Sequence, residues 1–235
     1  KAIKITKGLD LKLYGEPTPE VVETFVSEYA LKPKDFIGLT PKLLIEEGER
    51  VNAGTPLFYA KGKEKVLFTS PVSGVVKQVK RGAKRVIEEV IISAEETVEY
   101  LDFGVSNISE LSAEQIKEKL LVSGAWTLLR QRPYSVVPSP DTTPKCIIVS
   151  GFSSAPLAPD YSVLLKGLNK ELQAGIDVLK KMTGVTIHVN LPAKKGRAEE
   201  LAQLQNVQIN TFEGKHPCGN VSVQIEKLDP INKSE

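Results

Sequence analysis

The sequence PKLLIEEGERVNAGTPLFYAKGKEKVLFTSPVSGVV, residues Pro41–Val76, carries the clearest structural signal in this chain. It contains two similar halves, each made of short apolar runs that are separated by glycine turns. Gly48 and Gly54 stand where tight turns require a positive φ. The runs Leu57–Ala60 and Val66–Thr69 are typical of β-strands on either side of a polar tip. This region therefore predicts a small domain of short strands in which the two halves face each other.

The paired halves resemble the biotinyl/lipoyl-type barrel-sandwich hybrid, a fold that carries swinging-arm cofactors in some proteins and is a bare scaffold in others. In the carriers, a modified lysine lies at a hairpin tip, and the second half begins at a fixed distance beyond it. Lys63 lies eight positions before Pro71, which is compatible with that layout. The flanking residues Gly62 and Glu64 match neither Met-Lys-Met nor Asp-Lys-Ala. The sequence favours an unmodified hairpin, and a carrier domain with Lys63 as its attachment site is the alternative.

The composition excludes several functional classes. The 31 basic and 29 acidic side chains of the 235 residues leave a net charge of only +2, so no nucleic-acid footprint is expected. No run approaches the ~18 apolar residues of a transmembrane helix, so we expect that the chain does not cross a membrane by itself. The two cysteines, Cys146 and Cys218, are far apart and suit a reducing cytoplasm, with no metal site expected from this chain. Cys146 is expected to be a small core residue, and Cys218 lies in a turn where it could be exposed.

The first half of the chain divides into two parts. Residues 1–105 are predicted to hold an N-terminal strand over Ala2–Leu13 and then the barrel-sandwich hybrid. Residues 106–144 are predicted to form a helix and a proline-rich connection. Ser112 and Gln115 have the spacing of a capping box at the start of that helix, which should end near Gly124.

Residues 145–235 predict a Rossmann-like α/β domain of a truncated parent. A buried parallel strand at Cys146–Val149 is followed by a helix over Tyr161–Met182, a strand at Val185–Leu191, a short helix and a third strand. The loop after the first strand has one glycine and two prolines instead of GxGxxG, so we expect no nucleotide there, and Asp160 is expected to cap the helix. His188 is predicted to lie on the polar face of its strand as a surface imidazole.

Two segments hold candidate contact residues. Ser123–Tyr134 contains Trp126, Arg130 and Arg132, and Trp and Arg are enriched at binding surfaces. The alternative is that Trp126 fixes the helix end to the core. In the second segment, His216 lies two positions before Cys218, which invites a catalytic interpretation, although a plain turn is favoured because no orienting third group is evident. No catalytic residue is assigned.

Taken together, the sequence resembles the A subunit of the sodium-translocating NADH:quinone reductase. The matching stretches occur in the order of that family and cover nearly the whole chain, and RGxKRV and SGxWTxxRxRPxS are the specific ones. They are KITKGLDL (Lys4–Leu11), PKLLIEEGERVNAGTPLF (Pro41–Phe58), LFTSPVSGVV (Leu67–Val76), RGAKRVIEEVII (Arg81–Ile92), SGAWTLLRQRPYSVVP (Ser123–Pro138), PLAPD (Pro156–Asp160) and HPCGN (His216–Asn220).

This resemblance implies a peripheral subunit on the cytoplasmic face of the bacterial inner membrane, attached to the membrane only through partner subunits. The complex uses NADH, FAD, FMN, an iron–sulfur centre and a quinone, and it couples electron transfer to sodium export. Other subunits hold the cofactors and are the implied partners, with quinone as a further candidate ligand. Since the A subunit of this family extends further, we expect an N-terminal fragment that is inactive by itself.

The family is also similar to the Rnf C subunit and to the FMN-binding subunit of complex I. Those relatives bind FMN with a glycine-rich loop near the position of Ser123–Tyr134. Here Gly124 is kept, but Trp126 and Arg130 are among the bulky residues that replace the glycine run. Because bulky side chains block close approach of a phosphate to the backbone, the resemblance implies a scaffold without bound FMN. A free-standing FMN flavoprotein is the remaining alternative.

Overall fold

The computed structural model of this chain describes residues 1–11, 13–15, 18, 20–194 and 196–233. They fall into two compact units, the α/β unit (Lys1–Val21 with Thr143–Glu235) and the barrel unit (Val22–Thr142). The strands and helices in chain order are β1 (Ala2–Ile5), β2 (Glu28–Leu31), β3 (Pro41–Leu43), β4 (Arg50–Val51), β5 (Pro56–Ala60), β6 (Lys63–Thr69), β7 (Gly74–Arg81), β8 (Ile87–Ala94), α1 (Ala113–Val122), β9 (Cys146–Ser150), α2 (Tyr161–Leu164), α3 (Asn169–Thr183), β10 (Thr186–Pro192), α4 (Glu199–Ala202), β11 (Gln208–Gly214) and α5 (Val221–Leu228).

The barrel unit contains two antiparallel sheets. One has the strand order β2-β8-β7-β4 and the other the order β3-β5-β6. Alternate residues of these strands point inward, as the period of two in a strand requires. Phe58 and Phe68, on neighbouring strands, stack with their ring centroids 5.0 Å apart. The fully buried side chains of these sheets include Leu57, Phe58, Val66, Phe68, Val76, Val90 and Ile92.

Helix α1 and the residues after it belong to the barrel unit. Ser112 accepts a hydrogen bond from the amide of Gln115, whose side chain accepts one from the amide of Ser112, so the predicted capping box is confirmed. Ile116 and Leu121 are buried on one face of α1, and the helix contacts β6. Helix α1 therefore packs against the barrel sheets, and the barrel unit extends to Thr142. The sequence analysis described residues 106–144 as a helix and a proline-rich connection between the two domains.

The α/β unit is built on a four-stranded parallel sheet with the order β1-β11-β10-β9. Helices α3 and α4 cover one face, where Ile176, Val189 and Leu201 are buried. On the other face, α5 lies against β9. The predicted fold class, a barrel-sandwich hybrid plus a Rossmann-like α/β domain, is confirmed.

The first strand requires a correction. The sequence analysis grouped an N-terminal strand with the barrel in residues 1–105, but β1 pairs with β11, with Ala2 opposite Thr211 and Ile5 opposite Gly214. The strand also ends at Ile5 instead of Leu13. The physical reason is that Ile3 and Ile5 pack against the buried Phe212 cluster of the α/β unit.

Two further predictions differ in detail. The helix predicted over Tyr161–Met182 is interrupted after Leu164, because Gly167 adopts a positive φ of 82° that a continuous helix cannot contain. Helix α5 was not predicted from the sequence. At the C-terminus of α3, Gly184 has a φ of 70° and caps the helix as predicted.

Candidate functional site

The segment after α1 forms a tight, internally bonded turn in the barrel unit. Gly124 has a φ of 78° and precedes a 3₁₀ turn at Ala125–Leu128. A Cβ atom at Gly124 would overlap the side-chain oxygen of Thr69 and lie 2.8 Å from its Cγ2. Both the conformation and the close approach to β6 therefore require glycine here.

Trp126 fixes this segment to the rest of the unit. Its side chain is 4% exposed, and its indole Nε1 donates a hydrogen bond of 3.0 Å to the carbonyl of Pro138. The neighbouring Thr127 is also buried, and its hydroxyl donates to the carbonyl of Gly124 at 2.7 Å. These contacts match the prediction that Trp126 fixes the helix end to the core, so the indole itself is not available as a contact surface.

Arg130 stabilises the end of this segment through hydrogen bonds to its backbone. Its Nη1 donates to the carbonyls of Thr127 and Leu129, and its guanidinium carbon lies 5.4 Å from the centre of the Phe36 ring. Arg132 is half-buried, and within the described part of the chain its guanidinium makes no hydrogen bond or ion pair. Of the predicted contact residues in this segment, Arg132 is thus the one whose guanidinium makes no bond within the described residues, whereas Arg130 uses its Nη1.

A phosphate cradle needs free backbone N–H groups, and several amides of this segment are already engaged. The amide of Gly124 donates to Leu121, that of Ala125 to the hydroxyl of Ser123, and that of Thr127 to the carbonyl of Gly124. These three donors are therefore not free for a phosphate, and the Trp126 side chain beside them is buried.

His216, the remaining predicted contact residue, belongs to the α/β unit and lies beyond the carboxyl end of β11. Three loops meet there. The Nδ1 atom of His216 is 3.1 Å from the hydroxyl of Ser154, which accepts a hydrogen bond of 2.8 Å from the amide of Gly219. The backbone amide of His216 donates to the carboxylate of Asp10 at 3.2 Å. The carboxyl ends of β1, β9 and β11 are thereby tied together through their loops.

The loop residues around His216, with the nearby Cys218, lack the features of a nucleophilic centre. Cys218 is 3% exposed, which corrects the expectation that it could be exposed. Burial raises the pKa of its thiol, which favours the unreactive protonated form, and its sulfur donates to the carbonyl of Gly214. Asp10 bonds to the backbone and not to the imidazole of His216, so it does not orient that ring as a catalytic carboxylate would. The described geometry is that of hydrogen bonds that hold three loops together.

A buried polar network, missed by the sequence analysis, lies beneath α5. Asn190 Nδ2 donates to Gln224 Oε1 at 3.0 Å, and Asn210 Nδ2 donates to Asn190 Oδ1 at 3.0 Å. His188 Nδ1 lies 3.3 Å from Asn210 Nδ2, and burial lowers the pKa of this imidazole. His188 is thus half-buried and not a plain surface residue. The sequence showed that polar residues alternate along β10. It did not predict α5, the helix that covers this polar face.

Lys63 does not occupy the centre of its hairpin turn. It is the first residue of β6 and pairs with Ala60, so Lys61 and Gly62 form the tip, with Gly62 at a φ of 81°. The side chain of Lys63 is exposed. Among the described residues, no group of three or more His, Cys, Asp or Glu side chains could hold a metal ion, and no helix is long and apolar enough to cross a membrane.

Comparison with known families finds both domain types, but the matches divide the chain differently from the two compact units: β1 falls within the first match and α1 within the second. Residues 3–95 match the NqrA N-terminal barrel-sandwich hybrid domain, and residues 111–235 match the NqrA second alpha/beta domain.

Curated relatives are named as the A subunit of the Na(+)-translocating NADH-quinone reductase. The A subunit of the Na(+)-translocating NADH-quinone reductase from Serratia proteamaculans is 36% identical over 237 residues, which cover 98% of this chain and 52% of that protein. The proteins of the same name from Yersinia pseudotuberculosis and Haemophilus influenzae are 35% and 36% identical over 99% and 97% of the chain. The chain spans about half the length of these relatives (52%). As its motifs predicted, it belongs to the NqrA family, the A subunits of Na(+)-translocating NADH-quinone reductases.

Proposed function

We propose that this chain is the N-terminal part of a peripheral subunit of a sodium-pumping NADH:quinone oxidoreductase. In this proposal the subunit lies on the cytoplasmic face of the bacterial inner membrane and supports electron transfer to quinone that is coupled to sodium export. The observation that carries the proposal is the match of both domains, in order, to one family. Relatives named as the A subunit of that reductase support it over nearly the whole chain.

The role we propose is structural, with no redox cofactor bound by this chain. The engaged amides of Gly124, Ala125 and Thr127 and the buried Trp126 support the absence of FMN at the turn after α1. NADH, FAD, FMN and the iron–sulfur centre are then used by other subunits, which are the partners of this one. Relation to the Rnf C subunit and to the FMN-binding subunit of complex I stays a prediction from the resemblance.

The test is purification of the full-length protein from its native host through a tag on another subunit of the complex. We expect the protein to co-purify, and we expect membranes from an in-frame deletion strain to lose sodium-stimulated quinone reduction by NADH. Complementation with the full-length gene should restore that activity, and this chain alone should not catalyse it. Failure of the full-length protein to co-purify, or unchanged activity in the deletion strain, contradicts the proposal.

An intact mass and a visible spectrum of the separated subunit decide between the proposal and its two alternatives. An unmodified mass without flavin bands is the expected result. Added mass at Lys63 would identify a carrier domain, and bound FMN would identify a flavoprotein. Either result would replace the structural role.

A further inference from the structure

Strand β9 lies at an edge of the parallel sheet but has the sequence of an internal strand. In the described part of the chain it pairs with β10 alone. Its first four residues, Cys146-Ile147-Ile148-Val149, are nevertheless a continuous apolar run, which is typical of the interior of a parallel sheet. All five residues of β9 are half-buried. A free edge with this composition pairs readily with another strand.

The opposite edge of the same sheet, β1, has the features of a permanent edge. It pairs with β11 over four residues, Lys4 is exposed within it, and the exposed Lys1 directly precedes it. Short length and exposed lysines are common protection of an edge strand against further pairing. Strand β9 contains no charged residue between Cys146 and Ser150. Of the two edges, β9 is therefore the one suited to a further strand.

Helix α5 brings the chain back to β9. It follows β11 and lies on the face of the sheet opposite α3 and α4, where Gln224 is bonded to Asn190. Just beyond the helix, the carboxylate of Asp229 is 2.8 Å from the Nζ of Lys145, which also donates to the carbonyl of Pro230 at 3.2 Å. Lys145 directly precedes β9. The chain after α5 is thus held beside the amino end of β9, where a parallel neighbour of that strand would begin.

The route of the chain also has the handedness that parallel sheets require. The order β9, β10, β11 advances across the sheet with α3 and α4 on one face. A connection from β11 to the free side of β9 runs across the sheet in the opposite direction, so it is right-handed only if its helix lies on the opposite face. Helix α5 lies on that face.

We propose that the polypeptide that follows residue 235 in the full-length protein forms a parallel strand on the free edge of β9. Strand β9 then becomes an internal strand, as its sequence indicates. The relatives offer the length for such a strand, since this chain covers 52% of them. The inference rests on one part of the proposed function, that this chain is the N-terminal part of a longer protein, and it is independent of the role in electron transfer.

The same polypeptide is favoured over another molecule because α5 has already placed it at this edge. The contacts of Asp229 and Pro230 with Lys145 leave only a short loop to close before pairing begins, and closing a short loop costs little entropy. A strand from a partner subunit or from a second copy would also lose translational and rotational freedom on association.

The test is hydrogen exchange of the full-length wild-type protein, purified as a separate subunit and resolved to single amides. Successive peptide groups of a strand point to alternate edges, and the amide of Gly151 donates to the carbonyl of Asn190 on β10. The amide of Val149 therefore faces β10 as well, whereas the amides of Ile148 and Ser150 point to the free edge. These two amides report whether that edge is covered.

We expect Ile148 and Ser150 to exchange about as slowly as Val149 and at least about 100-fold more slowly than Lys4. The Lys4 amide is the matched control, because the pairing of β1 directs it away from β11. In a chain that ends at residue 235, Ile148 and Ser150 should exchange like Lys4 while Val149 stays protected. If Val149 also loses protection there, the shortened chain is unfolded and the full-length measurement decides alone.

Three outcomes overturn the inference. Exchange of Ile148 and Ser150 at the rate of Lys4 in the full-length protein, with Val149 protected, shows that the edge is free. Protection that appears only in the assembled complex assigns the edge to a partner subunit, and protection that appears only with dimers in native mass spectrometry assigns it to a second copy. Failure of the full-length protein to co-purify with the complex is a different result, which contradicts the proposed role and leaves the exchange measurement to decide this inference.

Discussion

Gly124→Ala should destabilise the barrel unit more than any other conservative change in the turn after α1. Gly124 has a φ of 78°, and placing a residue with a Cβ there costs roughly 1–2 kcal/mol. The added methyl group would also overlap the Thr69 side chain, whose Cγ2 would be 2.8 Å away. Overpacking of this kind adds roughly 1–3 kcal/mol, so the expected loss of unfolding free energy is about 2–5 kcal/mol.

The structure offers a closely matched control at Gly38. Its φ is 76°, almost the same as that of Gly124, but a Cβ there would have no atom within 4 Å. Gly38→Ala should therefore show only the conformational cost of roughly 1–2 kcal/mol. The difference between the two variants isolates the contact with Thr69. In the double variant Gly124→Ala/Thr69→Ala, part of that difference should be recovered, because the overlapping hydroxyl and methyl groups are gone.

The assay is denaturant unfolding followed by tryptophan fluorescence. Trp126 is the single tryptophan of the chain and lies in the barrel unit, so its emission reports the unfolding of that unit and not of the α/β unit. Equal destabilisation by Gly124→Ala and Gly38→Ala would refute the reasoning, because it would mean that the approach to Thr69 does not require glycine.

Three further results are expected from the site residues. Trp126→Phe removes the indole donor to Pro138 and should cost about 1 kcal/mol in denaturant unfolding followed by circular dichroism; an unchanged midpoint would show that this bond contributes nothing. Ser154→Ala leaves the amide of Gly219 without its acceptor and should cost about 1–3 kcal/mol, whereas Ser153→Ala, at a neighbouring exposed position, should cost less. Burial lowers the pKa of His188 in the folded state, so the unfolded chain binds more protons at acidic pH. Stability should fall as the pH drops through about 6.5, and this slope should be smaller in His188→Gln; identical slopes in both proteins would contradict the assignment.

Features that depend on neighbouring residues could be predicted from the sequence. The capping box of Ser112 and Gln115 acts over three positions, and the left-handed Gly184 directly follows its helix, so both are encoded locally. The turn glycines Gly48 and Gly54 have positive φ values of 90° and 99°, as their positions indicated. The fold class followed from these local signals together with the strand periods.

Features that depend on distant residues could not be predicted in this way. The partner of β1 lies about 200 residues further along the chain, and no local pattern distinguishes pairing with β11 from pairing within the barrel. The same is true of Trp126 at the candidate site. The sequence alone does not distinguish a tryptophan that is exposed for binding from one that is buried in the core. Burial of Cys218 and His188 depends on loops and on α5, which only the tertiary structure brings to them.

The pairing of β1 with β11 has a consequence for the order in which the chain folds. Because β1 precedes the barrel unit and β11 follows it, the barrel unit is in effect an insertion within the α/β unit. During synthesis, all of Val22–Thr142 can leave the ribosome and fold while the sheet still lacks β9, β10 and β11. A folded barrel would shorten the disordered loop that β1 must close to reach β11, and so would lower the entropy cost of this long-range strand pairing. Strand β1 is thus synthesised first but is among the last strands to join the sheet. The stability of the barrel unit then determines how efficiently the α/β sheet is completed.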